Sequence, residues 1–139
     1  MEIEITHFSH ESPLYQECLK IRCEILRKPL GMQVLDSDRE KDAKSIHILC
    51  KYKGKPAGTV ALMDNTLRQM AVLDEFQGLA LGRKLVAYLE KLAKEQGYDE
   101  VELAARMVAL DFYKKCGYTA YGDEYMHIAV PHVDMKKAI

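Results

Sequence analysis

The sequence predicts an α/β fold with a mixed, mostly antiparallel sheet flanked by helices. Three observations carry that expectation. The β- and α-patterned segments follow the order β-α-(loop)-β-β-β-α-β-α-β-β. Residues 45–73 hold three strand-like segments separated only by short turns, which is a hairpin run. The third of these then passes through a turn of small residues, Gln77 to Gly82, directly into a long amphipathic helix. Antiparallel hairpins followed by strands that alternate with helices imply a mixed sheet.

Ile3 and Ile5 alternate with Glu2, Glu4 and Thr6, giving a first strand with one wet face. Ser12-Pro13 fits an N-cap followed by proline at the first helical position. Leu14, Cys18, Ile21 and Ile25 recur at helical spacing, so a helix should run to about Leu26 and end at Pro29 and Gly31. Gln33 to Lys44 mixes acids and bases. It is a loop or a short surface helix, and either a solvated connection or a mobile lid on the substrate side. Ser45 to Tyr52 and Pro56 to Met63 form a hairpin about Lys53-Gly54-Lys55. Asp64-Asn65 turns the chain into a strand at Thr66 to Leu73. A helix from Gly78 or Ala80 to Gln96 carries Leu81, Leu85, Leu89 and Leu92 on its core face, with Gly97 as its C-terminal cap. Val101 to Ala104 is a short buried strand. Met107 to Cys116 is helical, Gly117 closes it, and Tyr118 to Tyr121 and His127 to Lys136 are the last strands.

The 139 residues suffice for one domain with a single well-buried core, spanning residues 1–139. With 48% hydrophobic and 29% charged residues the composition is that of a soluble globular protein. A net charge of -1 gives no basic excess for nucleic acid or an anionic membrane surface. Cys18, Cys23, Cys50 and Cys116 are scattered and form no C-x-x-C pair, so they read as buried or idle thiols in a reducing compartment. MEIEITHF has no basic n-region or apolar h-region, and no apolar run is long enough to cross a membrane. A cytoplasmic location is the expectation.

A small-residue turn that opens a helix is an anion site, because the first N–H groups of a helix lack intrahelical partners and sit in the positive end of its dipole. Neither G-x-x-x-x-G-K-[ST] nor G-x-G-x-x-G occurs, so this is not a P-loop or a dinucleotide fingerprint. No zinc-ligand spacing such as H-E-x-x-H occurs either.

Gln77-Gly78-Leu79-Ala80-Leu81-Gly82 resembles the acetyl-CoA loop of the GNAT superfamily of N-acetyltransferases, [RQ]-x-x-[GA]-x-[GA], with Gln77, Ala80 and Gly82 in the defining places. It follows a strand, opens a helix, and precedes Ala109-Leu110-Asp111-Phe112-Tyr113-Lys114-Lys115-Cys116-Gly117-Tyr118, which resembles the superfamily's A-x-x-[LF]-Y-x-[KR]-x-G-[FY] motif. Arg22 with Glu24, His47, and Val130-Pro131-His132-Val133-Asp134-Met135 are similar to a small bacterial subgroup. Gln77 stands where Arg is commoner and Ala80 where Gly is commoner, implying a modestly weaker pyrophosphate contact. Arg106 stands where many members carry an Asn that contacts the cofactor. It either reaches a CoA phosphate or is solvated.

The resemblance implies the GNAT fold, with the sheet splayed between the strand at Thr66–Leu73 and the strand at Glu100–Ala104, and CoA in that gap. It implies transfer of an acetyl group from acetyl-CoA to a primary amine of a small molecule or protein by direct attack in a ternary complex, without a metal. Cofactor contacts would come from Ala71, Val72, Leu73, Gln77, Gly78, Leu79, Ala80, Leu81, Gly82, Arg83, Arg106 and Tyr113. The backbone N–H near Val72 would polarise the thioester carbonyl, and Tyr113 would protonate the leaving thiolate. Glu75, His47 and His132 are candidate bases by residue type. Arg22 and Glu24 either line the amine site or form a surface pair. Arg83, Lys84, Lys114 and Lys115 either meet the adenosine 3′-phosphate or are solvated. The alternative is a non-catalytic GNAT-fold module that senses acyl-CoA. An exposed final strand would allow a homodimer.

Overall fold

Three antiparallel pairings, the last two of them hairpins, build the first part of the sheet. The computed structural model describes residues 2–33 and 36–139. Ile3–Phe8 (β1) pairs antiparallel with Ile46–Tyr52 (β2). Lys53 and Gly54, at φ of 50° and 80°, form a turn whose twist suits a hairpin and return the chain as Lys55–Met63 (β3). The turn at Asp64 and Asn65 leads to Thr66–Val72 (β4), antiparallel to β3. Between Thr59↔Ala71 and Ala61↔Arg68 the register gives β3 only Val60, but gives β4 both Gln69 and Met70. This is a β-bulge, and Gln69 takes it up at φ 55°.

A helix, Leu81–Glu95 (α3), crosses to Glu100–Arg106 (β5), which lies parallel to β4. The two strands share register only at Thr66↔Glu102, where Glu102 N–H donates to the Asn65 carbonyl at 3.0 Å. Beyond that point they diverge, so the expected splay is present. Met107–Ala109 is a 3-10 turn that runs into Leu110–Lys115 (α4). Thr119–His127 (β6) and Val130–Ala138 (β7) complete a seven-stranded sheet of order β1-β2-β3-β4-β5-β7-β6. The fold is α/β with a mixed, mostly antiparallel sheet, as the sequence predicts.

The two faces of the sheet bury different helices. Ile48, Val60, Leu62 and Leu67 pack with Leu81, Leu85, Val86 and Leu89 of α3. Leu49 and Ala71, facing the other way, pack with Cys18 and Ile21 of Tyr15–Arg22 (α1). The leucine stripe of α3 is core, as read. All four cysteines are free, Cys18 and Cys50 buried and the others half-buried.

Several boundaries differ from expectation. Ser12 does not cap α1: its Oγ accepts from Leu14 N–H at 3.2 Å within a preceding turn. After Arg22 the helix passes into a π turn, Cys23–Arg27, and a 3-10 turn, Lys28–Leu30. Within the expected Gln33–Lys44 connection, Asp36–Asp42 is a helix (α2) and its Asp38 and Asp42 are buried, so a merely solvated connection is excluded. Val34 and Leu35 of that connection lie outside the described residues. At the C-terminus, β6 continues past Gly122-Asp123 through a register irregularity between Tyr121 and Tyr125, and the turn falls on Ile128 and Ala129 at φ of 49° and 63°. His127 therefore ends β6 instead of starting β7. The final strand β7 lies between β5 and β6, so it is not the edge that dimer pairing needs; β1 and β6 are the edges. Among the described residues, no helix is long and apolar enough to cross a membrane.

Candidate active site

The splay between β4 and β5 opens a cleft of about 880 Å³. Its walls come from β4, from the turn before α3, from the end of β5, from α4, and from the β6–β7 turn. Parallel strands that separate leave main-chain groups unpaired, and such groups must find other partners.

Val72 shows this directly. Leu73 N–H donates to the Ala57 carbonyl of β3 at 2.9 Å. Successive strand residues alternate the side toward which their N–H and C=O point. Val72 therefore turns both groups away from β3 and toward the gap. Its carbonyl is taken by Gln77, whose Nε2 donates to it at 2.9 Å. Gln77 thus ties the start of the turn back onto the strand.

Beyond Gln77, Gly78 and Ala80 adopt left-handed conformations at φ of 81° and 60°. Left-handed residues set into a turn line up successive N–H groups as an anion-binding concavity. The first intrahelical bond of α3 is Lys84 N–H to the Ala80 carbonyl at 3.2 Å. The N–H groups of Leu81, Gly82 and Arg83 have no carbonyl one turn back within the helix. At Gly82 a Cβ would stand 3.1 Å from the Phe112 ring. Glycine here lets the first turn of α3 rest on α4, which sets the distance between the turn and Tyr113.

Tyr113 is buried, and its ring lines the cleft with edge-on contacts to Phe112 and Tyr118. Burial pushes its phenol above the ordinary value of 10, and the nearby Arg106 charge opposes this only in part. The phenol is therefore protonated at neutral pH.

Arg106 and His132 are directly opposed across β5 and β7, so their side chains project from one face of the sheet. Both line the cleft. Arg106 Nη2 donates to the Leu26 carbonyl at 2.8 Å, so the guanidinium is half-buried between the end of the first helical segment and β5. Burial and the neighbouring Arg27 charge lower its pKa. His132 Nδ1 lies 3.0 Å from the Val130 carbonyl. A carbonyl has no proton to give, so Nδ1 donates, and in the neutral ring Nε2 holds a free lone pair. Burial lowers the pKa of His132 below 6.5, against the Val130 bond that raises it, which favours the neutral ring at pH 7.

The family described as "Acetyltransferase (GNAT) domain" matches residues 28–139. The chain belongs to the GNAT acetyltransferases. A Bacillus subtilis protein provisionally named an acetyltransferase is 35% identical over 95 residues, covering 66% of this GNAT chain and 65% of that protein, just under two thirds of its length. A second B. subtilis protein, YyaT, whose function is uncharacterised, is 30% identical over 144 residues, covering 99% of this chain and 97% of its own. The crystal structure of an acyl-CoA N-acyltransferase from Pseudomonas aeruginosa superposes with a TM-score of 0.84 at 19% identity, over 98% of this chain and 99% of that one. That likeness shows the fold.

Of the cofactor residues expected for a GNAT domain, Ala71, Val72, Gln77, Gly78, Ala80, Leu81, Gly82, Arg83, Arg106 and Tyr113 line the cleft. Leu73 instead packs into the core, and the Leu79 side chain is exposed outside the cleft lining. Glu75 is exposed in the Asp74–Phe76 turn, away from the cleft lining. Lys84, Lys114 and Lys115 also lie outside it. Arg22 and Glu24 do not pair: Glu24 meets Lys28 at 3.3 Å on the surface, whereas Arg22 is buried.

One wall of the cleft is backed by an ionic cluster that sequence reading missed, with Arg27, Asp38 and Arg68 in the lining and Arg22 and Asp42 behind them. Asp42 takes Arg22 Nη1 at 3.0 Å, Arg68 Nη1 at 3.4 Å and the Tyr15 hydroxyl. Asp38 takes Arg27 at 2.8 Å and Gln69 Nε2 at 3.0 Å. Burial alone raises the Asp42 pKa, but the Arg22 charge and the bonds from Tyr15 and Arg22 outweigh it and hold the carboxyl below 3.8. His47 lies here, its ring tilted against that of Tyr15 at 4.8 Å with Nε2 2.9 Å from the Asp42 carbonyl, and not in the cleft lining. Burial lowers its pKa. Of the three candidate bases only His132 lines the cleft.

Proposed function

We propose that this chain transfers the acetyl group of acetyl-CoA to a primary amine of a small molecule or protein, the amine attacking while both are bound. One observation carries the reading. A single cleft runs from the unpaired amides of the Gly78–Arg83 turn, past the outward-facing N–H of Val72, to Tyr113 and His132. The family and the activity in the Pseudomonas neighbour's name support it.

The Gly78–Arg83 amides fit a diphosphate, because they are unpaired within the helix and sit at its positive end. Ala71, Val72 and Gln77 would flank the pantetheine arm. Acetyl-CoA supplies an activated thioester: the C–N bond to the amine forms as the C–S bond breaks. Val72 N–H is a preorganised donor for the charge that develops on the carbonyl oxygen, and such a donor is worth about 3 kcal/mol of barrier. His132 Nε2 accepts the proton that the ammonium must lose before its lone pair can react. The Tyr113 hydroxyl, kept protonated by burial, gives its proton to the departing sulfur.

The test is release of free thiol from acetyl-CoA with a panel of amines, read in the wild type and in Tyr113→Phe. Turnover should fall in the variant by a factor on the order of 100 or more, while the rise in melting temperature given by acetyl-CoA is kept. Acetyl-CoA binding without thiol release for any amine would turn the reading to an acyl-CoA sensor. Stabilisation by ATP or NAD in place of acetyl-CoA would remove CoA from it altogether.

A further inference from the structure

The cleft wall at its acceptor end carries more positive charge than the protein itself neutralises. Arg27, Lys41, Arg68, Arg83 and Arg106 line the cleft, and Asp38 is its one lining carboxylate among the described residues. Arg83 belongs to the first turn of α3. The others lie toward the first helical segment, α2 and the β5–β7 pair. Arg27 and Arg68 share Asp38 and Asp42, at 2.8 Å for Arg27–Asp38 and 3.4 Å for Arg68–Asp42. Arg106 has no carboxylate within ion-pair distance among the described residues; its recorded bond is to the Leu26 carbonyl. Asp134, on the same face of β7, is bonded to the Tyr125 hydroxyl at 2.5 Å. A half-buried guanidinium with a carbonyl as its recorded partner, pushed by a second guanidinium, still has donors to give in a planar fork. That fork matches carboxylate and phosphate oxygens.

Three neighbours place Arg106. It is tied to Leu26, opposed to His132 across the strand pair, and electrostatically coupled to Tyr113. It therefore stands beside His132, the group that would take the proton of the reacting amine, and near Tyr113, which would serve the leaving sulfur.

We propose that the acceptor carries, besides its amine, an anionic oxygen group, carboxylate or phosphate, which Arg106 receives while His132 Nε2 faces the amine. This rests on the acyl-transfer reading above. The excess of cations favours an anion in the cleft, and the direct opposition of Arg106 and His132 sets the anion and the amine a few bonds apart. The acceptor class is then a short amino acid or an amino phosphate.

The experiment uses matched pairs: amino acids against the amines left when their carboxylate is removed, and phosphoethanolamine against ethanolamine. Thiol release from acetyl-CoA should give the anionic member of one of these series at least a tenfold higher kcat/KM. Arg106→Gln, which keeps an amide donor for Leu26, should erase that preference mainly through KM, and Arg106→Lys should restore part of it. A purely packing role would leave the ratio within each pair unchanged. Equal rates within both series, or a preference that survives Arg106→Gln, overturns the proposal. So does loss of the acetyl-CoA thermal shift in Arg106→Gln with the preference intact, since Arg106 would then serve the cofactor. Should no amine release thiol, the acyl-transfer reading fails by itself. Thermal shifts of the CoA-loaded protein with the same pairs then decide the Arg106 site, and equal shifts overturn it.

Discussion

Asp42→Asn should be among the most destabilising single changes available in this chain. The side chains of Asp42 and its partner Arg22 are 1% and 2% exposed, with Nη1 3.0 Å from Oδ2. The substitution keeps the shape and one acceptor but removes the charge. It leaves Arg22 buried as a cation whose Nη2 already lacks a partner. It also weakens the bonds that Asp42 accepts from the Tyr15 hydroxyl and from Arg68. Removing one member of a buried ion pair costs about 3–5 kcal/mol. With an m-value of about 2 kcal/mol/M, the urea midpoint should fall by roughly 2 M, a large share of a typical total stability. The surface pair Glu24–Lys28, with side chains 54% and 70% exposed, is the internal control. Glu24→Gln should change stability by less than about 0.5 kcal/mol. Acid adds a sign test. The folded-state pKa of Asp42 lies below its unfolded 3.8, so its contribution is present above about pH 3.8 and is lost as pH falls through the folded value. Asp42→Asn should lose that part of the acid slope. A urea midpoint shifted by less than about 0.5 M, or an unchanged acid slope, would refute the argument that this pair is dry and coupled.

Ala80→Gly should stabilise the chain by about 0.5–1 kcal/mol, because Ala80 holds a left-handed conformation that costs a β-carbon; a melting temperature that falls would count against the assigned turn. Gly82→Asp should abolish the acetyl-CoA thermal shift, since it puts a Cβ 3.1 Å from the Phe112 ring and a negative charge at the helix start; unaltered affinity measured by calorimetry would misplace the phosphate site. The pH profile of kcat/KM should rise through an apparent pKa below 6.5, where burial puts His132, and His132→Gln should remove that limb for the same amine; a limb that persists assigns it to another group.

The order of strands and helices along the chain and the Gly78–Arg83 turn were legible because hydrophobic period and small-residue turns are local properties, whereas the splay was implied by the family resemblance and the internal place of β7 was not foreseen. Tyr113 was legible through a motif, and His132 by residue type alone. The ionic cluster was not legible. Asp38 and Asp42 sit in a mixed-charge run that reads as solvated, and their partners lie up to 31 residues away in sequence, as Asp38–Gln69 does. The π turn at Cys23–Arg27 carries no compositional signal, yet Arg22, just before it, and Arg27, its last residue, both reach the carboxylates of α2. The bulge at Gln69 and the Ile128-Ala129 turn use left-handed residues that composition does not select, so tertiary pairing decided both. Sequence reading ended the fifth strand at Ala104 and left Arg106 before the next helix; its place at the end of β5, on the side of His132, followed only from the strand register, and its bond to Leu26 only from the fold.

The single ladder pair Thr66–Glu102 has a consequence for how the molecule breathes. β4 and β5 lie in the middle of the sheet, yet along most of their length each behaves toward the other as an outer strand. In deuterium exchange, the Val72 amide should therefore exchange far faster than Leu73 beside it, whose N–H is held by Ala57. Widening the cleft would break one rung and little else, so resistance to it comes from α3, whose Leu85 and Leu89 lie under the sheet. Acyl-CoA seated between the strands would act as the missing rungs, and its arrival should appear as slowed exchange along facing edges that are far apart in sequence.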